Sequence, residues 1–213
     1  MFPPSRYSFM RATVVLLLLA IVPSISRATD VVKIEEHWEL SVGLPEMDRC
    51  APQVTMVMSP QSGLDNDYFL FTLNYRSSPD FIAGGLQLQR WQGNQLVETA
   101  DSSHTGILSH TEEQITWTQT LTLQDGVLTL EIENGKSQTW GGFGGDGTLH
   151  LSVNTPLTQL NNYQPGVSIE ESGISFAGNR VSSLVLQKLV WTTSDGEVHT
   201  LVSPIDIDTD IDP

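Results

Sequence analysis

The sequence has one cysteine, few basic residues and no long apolar run after its N-terminal segment. Because Cys50 has no partner in the chain, no intrachain disulfide can form, and stability must come from packing or from ions bound to carboxylates. We interpret Cys50 as a small buried hydrophobe rather than a reactive thiol. Ten Lys and Arg residues against 25 Asp and Glu give a formal charge of −15, which opposes binding to nucleic acid and to anionic lipid.

The common catalytic and cofactor motifs are also missing. There is no G-x-S-x-G turn for a serine nucleophile, no H-E-x-x-H or C-x-x-C metal pattern, and no phosphate-binding G-x-x-x-x-G-K. The five histidines are scattered along the chain, and each is expected to be a surface residue rather than a ligand. The sequence therefore assigns no catalytic residue and no cofactor other than a possible Ca²⁺.

The first 28 residues have the pattern of a signal peptide. Arg6 and Arg11 precede the apolar run 12–22, and Ser26-Arg27-Ala28 places small residues where a signal peptidase reads them. We predict cleavage after Ala28, a formal charge of −18 once three arginines are lost, and a secreted, periplasmic or cell-envelope location without membrane insertion. An uncleaved anchor is the alternative, although the run is well short of the roughly twenty residues that span a bilayer.

The clearest local structure is a β-hairpin over residues 116–135. Asp125-Gly126 separates two runs that alternate apolar and polar residues, so a two-residue turn sets Gln124 opposite Val127 and Gln119 opposite Ile132. This register puts the leucines of both strands on one face. Similar patterns predict a hairpin at Gly93-Asn94 and another at Asp195-Gly196.

The whole mature chain reads as about ten to twelve short strands with no helical periodicity. We therefore predict an all-β fold, a two-sheet antiparallel β-sandwich over residues 29–203, followed by an acidic tail at 204–213. The tail alternates Ile with Asp and is expected to be either an edge strand or a disordered end. Residues 136–147 are expected to be a glycine-rich loop, and residues 167–176 two short extended pieces.

The strand order resembles a known architecture. The runs LTLQDGVLTLEIENG, TLHLSV and SLVLQKLVW, with the glycine-rich loop, are similar to the jelly-roll sandwich of concanavalin A-like lectins and glucanases, of which laminin-G-like domains are a compact version. EEHWELSVG, FAGNRV and SPIDIDTDIDP resemble an uncharacterised group of secreted proteins of planctomycete-type bacteria, which implies no particular activity. Laminarinase-type glucanases of the first fold carry E-[ILV]-D-x-x-E, whereas Glu131-Ile132-Glu133 lacks the third acid, and a solvated strand face is the simpler interpretation.

Three aromatic residues suggest a binding site at the loops. Trp140 and Phe143 lie in the glycine-rich loop and Tyr163 in a later turn, so the three rings are expected to form a platform for a sugar ring, with Asp146 accepting hydrogen bonds. The alternative is that Trp140 and Phe143 close one end of the core.

A second candidate site is a run of oxygen-bearing side chains. Asp65, Asn66 and Asp67 lie together in a predicted loop, and hard cations such as Ca²⁺ prefer carboxylate and amide oxygens. A solvated turn in which these side chains bond their own backbone is the alternative.

From these features we expect an exported, non-catalytic binding domain for a neutral glycan or a protein partner. The alternatives are a structural or adhesion component of the cell envelope and an atypical glycoside hydrolase. Exposure of the loop aromatics in one place would distinguish the first from the second.

Overall fold

The computed structural model describes residues 29–43, 52–75, 84–108, 110, 112–175 and 180–207. These residues form two antiparallel sheets and one short helix, α1 (Pro165–Glu171). The predicted all-β, two-sheet antiparallel sandwich is therefore confirmed. In chain order the strands are β1 (Val31–Val42), β2 (Gln53–Met58), β3 (Asp67–Leu73), β4 (Leu86–Gln92), β5 (Gln95–Asp101), β6 (Glu113–Gln124), β7 (Val127–Ser137), β8 (Gly141–Phe143), β9 (His150–Asn154), β10 (Gly173–Ser175), β11 (Val181–Thr193), β12 (Val198–Leu201) and β13 (Ile205–Asp206).

The larger sheet has the order β12-β11-β1-β6-β7-β8, with β9 also pairing with β7 and β13 with β11. The smaller sheet has the order β10-β2-β3-β4-β5. The core lies between them, where large side chains from both sheets meet; for example, the rings of Phe71 and Trp117 pack edge to face at 6.1 Å. In the strand order of the larger sheet, β1 and β6 are the two central strands.

The central hairpin has the predicted register. Gln124 pairs with Val127 and Gln119 with Ile132. Both turn residues, Asp125 and Gly126, have positive φ of 52° and 76°, which suits the right-handed twist of the strands. The hairpins predicted at Gly93-Asn94 and Asp195-Gly196 are also confirmed, as β4–β5 and β11–β12.

Two local predictions were wrong. Residues 167–171 are not extended but belong to α1, which begins at Pro165, a residue whose fixed φ favours the first turn of a helix. The glycine-rich loop contains the short strand β8, which pairs with the end of β7. This pairing requires glycine at position 135, since a Cβ there would lie 2.2 Å from the Phe143 ring.

The tail begins as an edge strand, because Ile205–Asp206 pairs with β11. The predicted signal segment 1–28, Cys50 and the end of the tail lie outside the described residues. Among the residues that are described, no helix is long and apolar enough to cross a membrane.

Candidate functional site

The loop aromatics do not form an exposed platform. Trp140 and Phe143 are only 6% and 3% exposed, with their rings edge to face at 6.3 Å, and the Trp140 indole donates a hydrogen bond to the Gly106 carbonyl at 2.7 Å. They close one end of the core, as the alternative interpretation expected. Asp146 lies at the surface and accepts hydrogen bonds from Thr148. Tyr163 donates a hydrogen bond to the buried Glu36 carboxyl instead.

The run proposed for calcium has other partners. Asp67 forms an ion pair with Arg90 at 2.9 Å, and the Asn66 amide donates to the Gln61 side chain at 2.8 Å. Asp65 is exposed. Over the part of the chain that the structure describes, no group of three or more His, Cys, Asp or Glu side chains is placed to hold a metal ion.

The most unusual polar residues of the core are Glu36 and Gln119. Glu36 lies on the face of β1 that otherwise carries Ile34, Trp38 and apolar residues beyond them. Gln119 lies directly opposite on β6, and both side chains are 0% exposed. Sequence analysis missed this pair, although each residue is a polar interruption of an apolar face and could have been identified by extending the alternation to those positions.

Glu36 is surrounded by hydrogen-bond donors. Its Oε2 accepts from the Trp38 indole at 2.9 Å and from the Gln119 amide at 3.0 Å. Its Oε1 accepts from the Tyr163 hydroxyl. The carboxyl therefore has three donors in place, and two of them, Gln119 and Tyr163, come from distant parts of the chain. We refer to these residues, with Ser168, as the Glu36 cluster.

Burial changes the acidity of this cluster. It raises the pKa of the Glu36 carboxyl above its ordinary value, although the surrounding hydrogen bonds oppose the rise. Burial, together with the nearby Glu36 carboxylate, raises the pKa of the Tyr163 hydroxyl well above its ordinary value. Glu36 therefore holds its proton at a higher pH than an exposed glutamate does, as acid/base groups in enzymes often do.

The cluster also has unused hydrogen-bonding capacity. Gln119 Oε1 is buried without a partner. The Ser168 hydroxyl is close enough to Glu36 to favour its charged form, yet its oxygen meets no partner with full hydrogen-bond geometry. Buried polar atoms of this kind usually bind water or a ligand. Gln119 Oε1 can therefore accept a further hydrogen bond beside the one that the Gln119 amide donates to Glu36.

One segment covers the cluster. Tyr163 and Ser168 belong to residues 155–171, which run from β9 through α1. The segment is held by hydrogen bonds between Leu160 and Asn161 on one side and the backbone of Val31 on the other, both at 2.7 Å. This segment, which packs against the core through Leu157, Leu160 and Ile169, therefore separates Glu36 from solvent.

An open apolar pocket of about 270 Å³ reaches the cluster from outside. It lies between residues 155–171, which we call the cover segment, and the β11–β12 edge. Tyr163 lines the pocket and also donates its hydroxyl to Glu36, so it connects the pocket with the buried carboxyl. The pocket is lined by Val31, Ile34, Leu160, Asn161, Tyr163, Pro165, Leu189, Trp191 and Leu201.

A second buried carboxyl, Glu113, provides a contrast. It accepts hydrogen bonds from the backbone and hydroxyl of Thr139, from the backbone of Gln138 and from the Ser137 hydroxyl. Burial alone would raise its pKa, but these hydrogen bonds outweigh burial, and the pKa of Glu113 lies below its ordinary value. Glu113 therefore holds the loop after β7 in place, and its carboxylate oxygens have their hydrogen-bond donors within this loop.

The outer face of the larger sheet is polar and carries a shallow depression of about 400 Å³ beside His37, Glu39 and Lys136. Burial, with the nearby Lys188, lowers the pKa of His37, and Thr118 Oγ1 lies 3.2 Å from its Nδ1. This face is opposite to Glu36, so the two features are separate sites.

Comparison with known proteins gives a likeness of architecture alone. No family model matches the chain, and no curated protein matches it. It is similar to two crystal structures of scytalido-glutamic peptidase, one with a transition state analog inhibitor (TM-score 0.34, 12% identity) and one with a peptide based transition state analog (TM-score 0.35, 10% identity). Each match covers 82% of both chains. The concanavalin A-like and planctomycete-type resemblances are not tested by these comparisons and stay predictions.

The predicted function, a non-catalytic binding domain for a neutral glycan or a protein, is wrong. The aromatic platform that carried it is absent, because Trp140 and Phe143 are core residues. The described loops around Trp140 therefore offer no exposed aromatic surface on which a sugar ring could stack.

Proposed function

We propose that this protein is a hydrolase of amide or ester bonds, with Glu36 as its general acid and base and Gln119 as the group that polarises the carbonyl. The observation that supports this proposal is the fully buried, directly paired carboxyl and carboxamide on adjacent strands, hydrogen bonded at 3.0 Å. Rigid central strands hold both groups, which keeps their geometry fixed through a reaction.

The chemistry needs only groups that the cluster contains. A water molecule held by Glu36 and Gln119 Oε1 attacks the carbonyl carbon and gives its proton to the Glu36 carboxylate. The resulting oxyanion accepts a hydrogen bond from the second N–H of the Gln119 amide. Glu36 then returns the proton to the leaving nitrogen or oxygen as the C–N or C–O bond breaks, which regenerates the carboxylate.

The raised pKa of Glu36 suits this role. A general base and acid works best when its pKa lies near the working pH, and such groups contribute typically 10²–10⁴-fold to rate. Burial, which raises the Glu36 pKa, also excludes water and strengthens the hydrogen bond to the developing oxyanion. Glu113 is also buried, but its pKa is lowered by the hydrogen bonds that it accepts, so it is unsuited to this role.

Glu36 and Gln119 are both 0% exposed. A substrate therefore reaches them only when Tyr163 moves away from Glu36. The cover segment is short and crosses the end of the sandwich, and the open pocket already extends to Tyr163. Movement of such a cover is a common way to admit substrate and then exclude water. The export predicted from residues 1–28 would place this activity outside the cytoplasm.

The proposal is tested with a panel of unfolded protein, short peptides and p-nitrophenyl esters, assayed from pH 3 to 8 on wild type, Glu36→Gln and Glu113→Gln. We expect Glu36→Gln to lose at least a hundredfold in kcat/KM and Glu113→Gln to keep the wild-type value if it remains folded by circular dichroism. Absence of hydrolysis of every substrate by folded wild type, or equal activity in Glu36→Gln, would overturn the proposal.

A further inference from the structure

The open pocket beside Tyr163 has the size and lining of a site for one apolar group. Seven of its nine lining residues are Val, Ile, Leu, Pro or Trp; of the two polar ones, Asn161 is exposed and Tyr163 lies at the inner end, where it contacts Glu36. The amide oxygen of Asn161 is already used by the Val31 backbone. The pocket therefore recognises an occupant by apolar contact along its length and by polar contact at its inner end alone.

The volume limits what fits. An apolar cavity of about 150 Å³ holds benzene, which has six carbons. By that comparison the volume of about 270 Å³ corresponds to roughly eleven non-hydrogen atoms. The lining is mainly aliphatic and open to solvent beside Leu201, which favours a flexible chain over a large rigid ring.

Charge decides what the inner end of the occupant carries. The chain has a formal charge of −15, and the Glu36 carboxyl stands behind Tyr163. A carboxylate placed there would be repelled and desolvated, whereas a neutral carbonyl avoids both costs and can accept a hydrogen bond from the Tyr163 hydroxyl once that hydroxyl leaves Glu36. Free fatty acids are therefore poor occupants, and neutral esters and amides are suitable ones.

We infer that this pocket binds the medium-length acyl chain, of about eight carbons, of a neutral ester or amide, and presents its carbonyl to the Glu36 cluster. The inference rests on the proposed function, because it names the acyl group on which the hydrolase acts. It also identifies Leu201, half exposed at the pocket mouth, as a residue that sets chain-length preference.

Binding can be measured without catalysis by titrating octanamide, hexanamide and butanamide while following intrinsic tryptophan fluorescence, to which Trp191 contributes from the pocket lining, with calorimetry as a second readout. We expect saturable binding whose affinity rises about fourfold per methylene up to about eight carbons. Leu201→Asp should weaken octanamide binding at least tenfold. The matched control is Val198→Asp, because Val198 is 61% exposed, lies on the opposite face of β12 and does not line the pocket; it should bind like wild type.

The outcomes separate this inference from the proposed function. Chain-length-dependent binding that Leu201→Asp removes and Val198→Asp keeps supports the pocket, even if no bond is hydrolysed and the hydrolase proposal falls. No saturable binding of octanamide by folded wild type, or equal loss in Leu201→Asp and Val198→Asp, overturns the inference. Hydrolysis that is insensitive to acyl length would likewise overturn it and leave the hydrolase proposal standing.

Discussion

Replacing Glu36 by Gln should change the pH dependence of stability in a direction that the structure fixes. The pKa of Glu36 is raised in the folded protein by burial, so between its unfolded value, about 4.3, and its folded value the native state binds the extra proton. Stability then falls as pH rises through this window, because the charged form must be buried. Glu36→Gln cannot ionise, so its stability does not fall with pH for this reason.

The magnitude follows from the hydrogen bonds. At low pH we expect Glu36→Gln to be less stable than wild type by about 1–3 kcal/mol, since the new amide leaves one of the donors Trp38, Gln119 or Tyr163 without an acceptor. As pH rises, the wild type loses up to about 1.4 kcal/mol per unit within the window. The deficit of the variant should therefore shrink, and it reverses if the window is wide enough.

Urea unfolding followed by circular dichroism at pH 4, 5, 6, 7 and 8 measures this difference. Glu113→Gln is the matched control with the opposite sign, because the pKa of Glu113 is lowered and its stabilisation is lost as pH falls through the folded value. Its deficit should be largest near neutral pH. A Glu36→Gln deficit that stays constant, or that grows with pH, would refute the argument that burial dominates at Glu36.

Three further predictions concern the fold and its processing. Leu130→Ala should cost about 2–5 kcal/mol in urea melts because it leaves a cavity between the sheets, while Thr129→Ala on the other face should cost less than about 1 kcal/mol; equal losses would contradict the register. Gly135→Ala should cost about 1–3 kcal/mol because its Cβ would collide with the Phe143 ring, whereas Gly166→Ala, with open space around it, should be nearly neutral; a neutral Gly135→Ala would show that β8 can shift. Mass spectrometry of the expressed protein should find a mature N-terminus at Thr29, and retention of Met1 on a membrane-bound product would contradict cleavage.

The hairpins were predictable because their information is local. A two-residue turn fixes the pairing of every residue that follows it, so Asp125-Gly126 alone determines that Gln119 faces Ile132. The helix α1 was not predictable from alternation, since its seven residues carry no helical apolar stripe and it is fixed by Pro165 and by burial of Ser168. Its contact with the Glu36 cluster is a property of the assembled sandwich.

The candidate site was hidden for a related reason. Glu36 and Gln119 are 83 positions apart, and they meet only because β1 pairs with β6, a choice that no local pattern dictates. The glycine-rich loop led to a wrong prediction, an exposed aromatic platform. Aromatic residues among glycines suggested an exposed rim, but Gly135 makes the space into which the Phe143 ring packs, and both Trp140 and Phe143 join the core.

The most direct test of the account is the pH–rate profile of kcat/KM for hydrolysis of a neutral acyl ester or amide by the wild type. If Glu36 is the acid/base group, the rate should fall as pH drops through an apparent pKa above that of an ordinary glutamate. That limb should be present in Glu113→Gln and absent from the residual rate of Glu36→Gln. A limb of the same size and position in Glu36→Gln would show that another group performs the proton transfer and would contradict the role assigned to the Glu36 cluster.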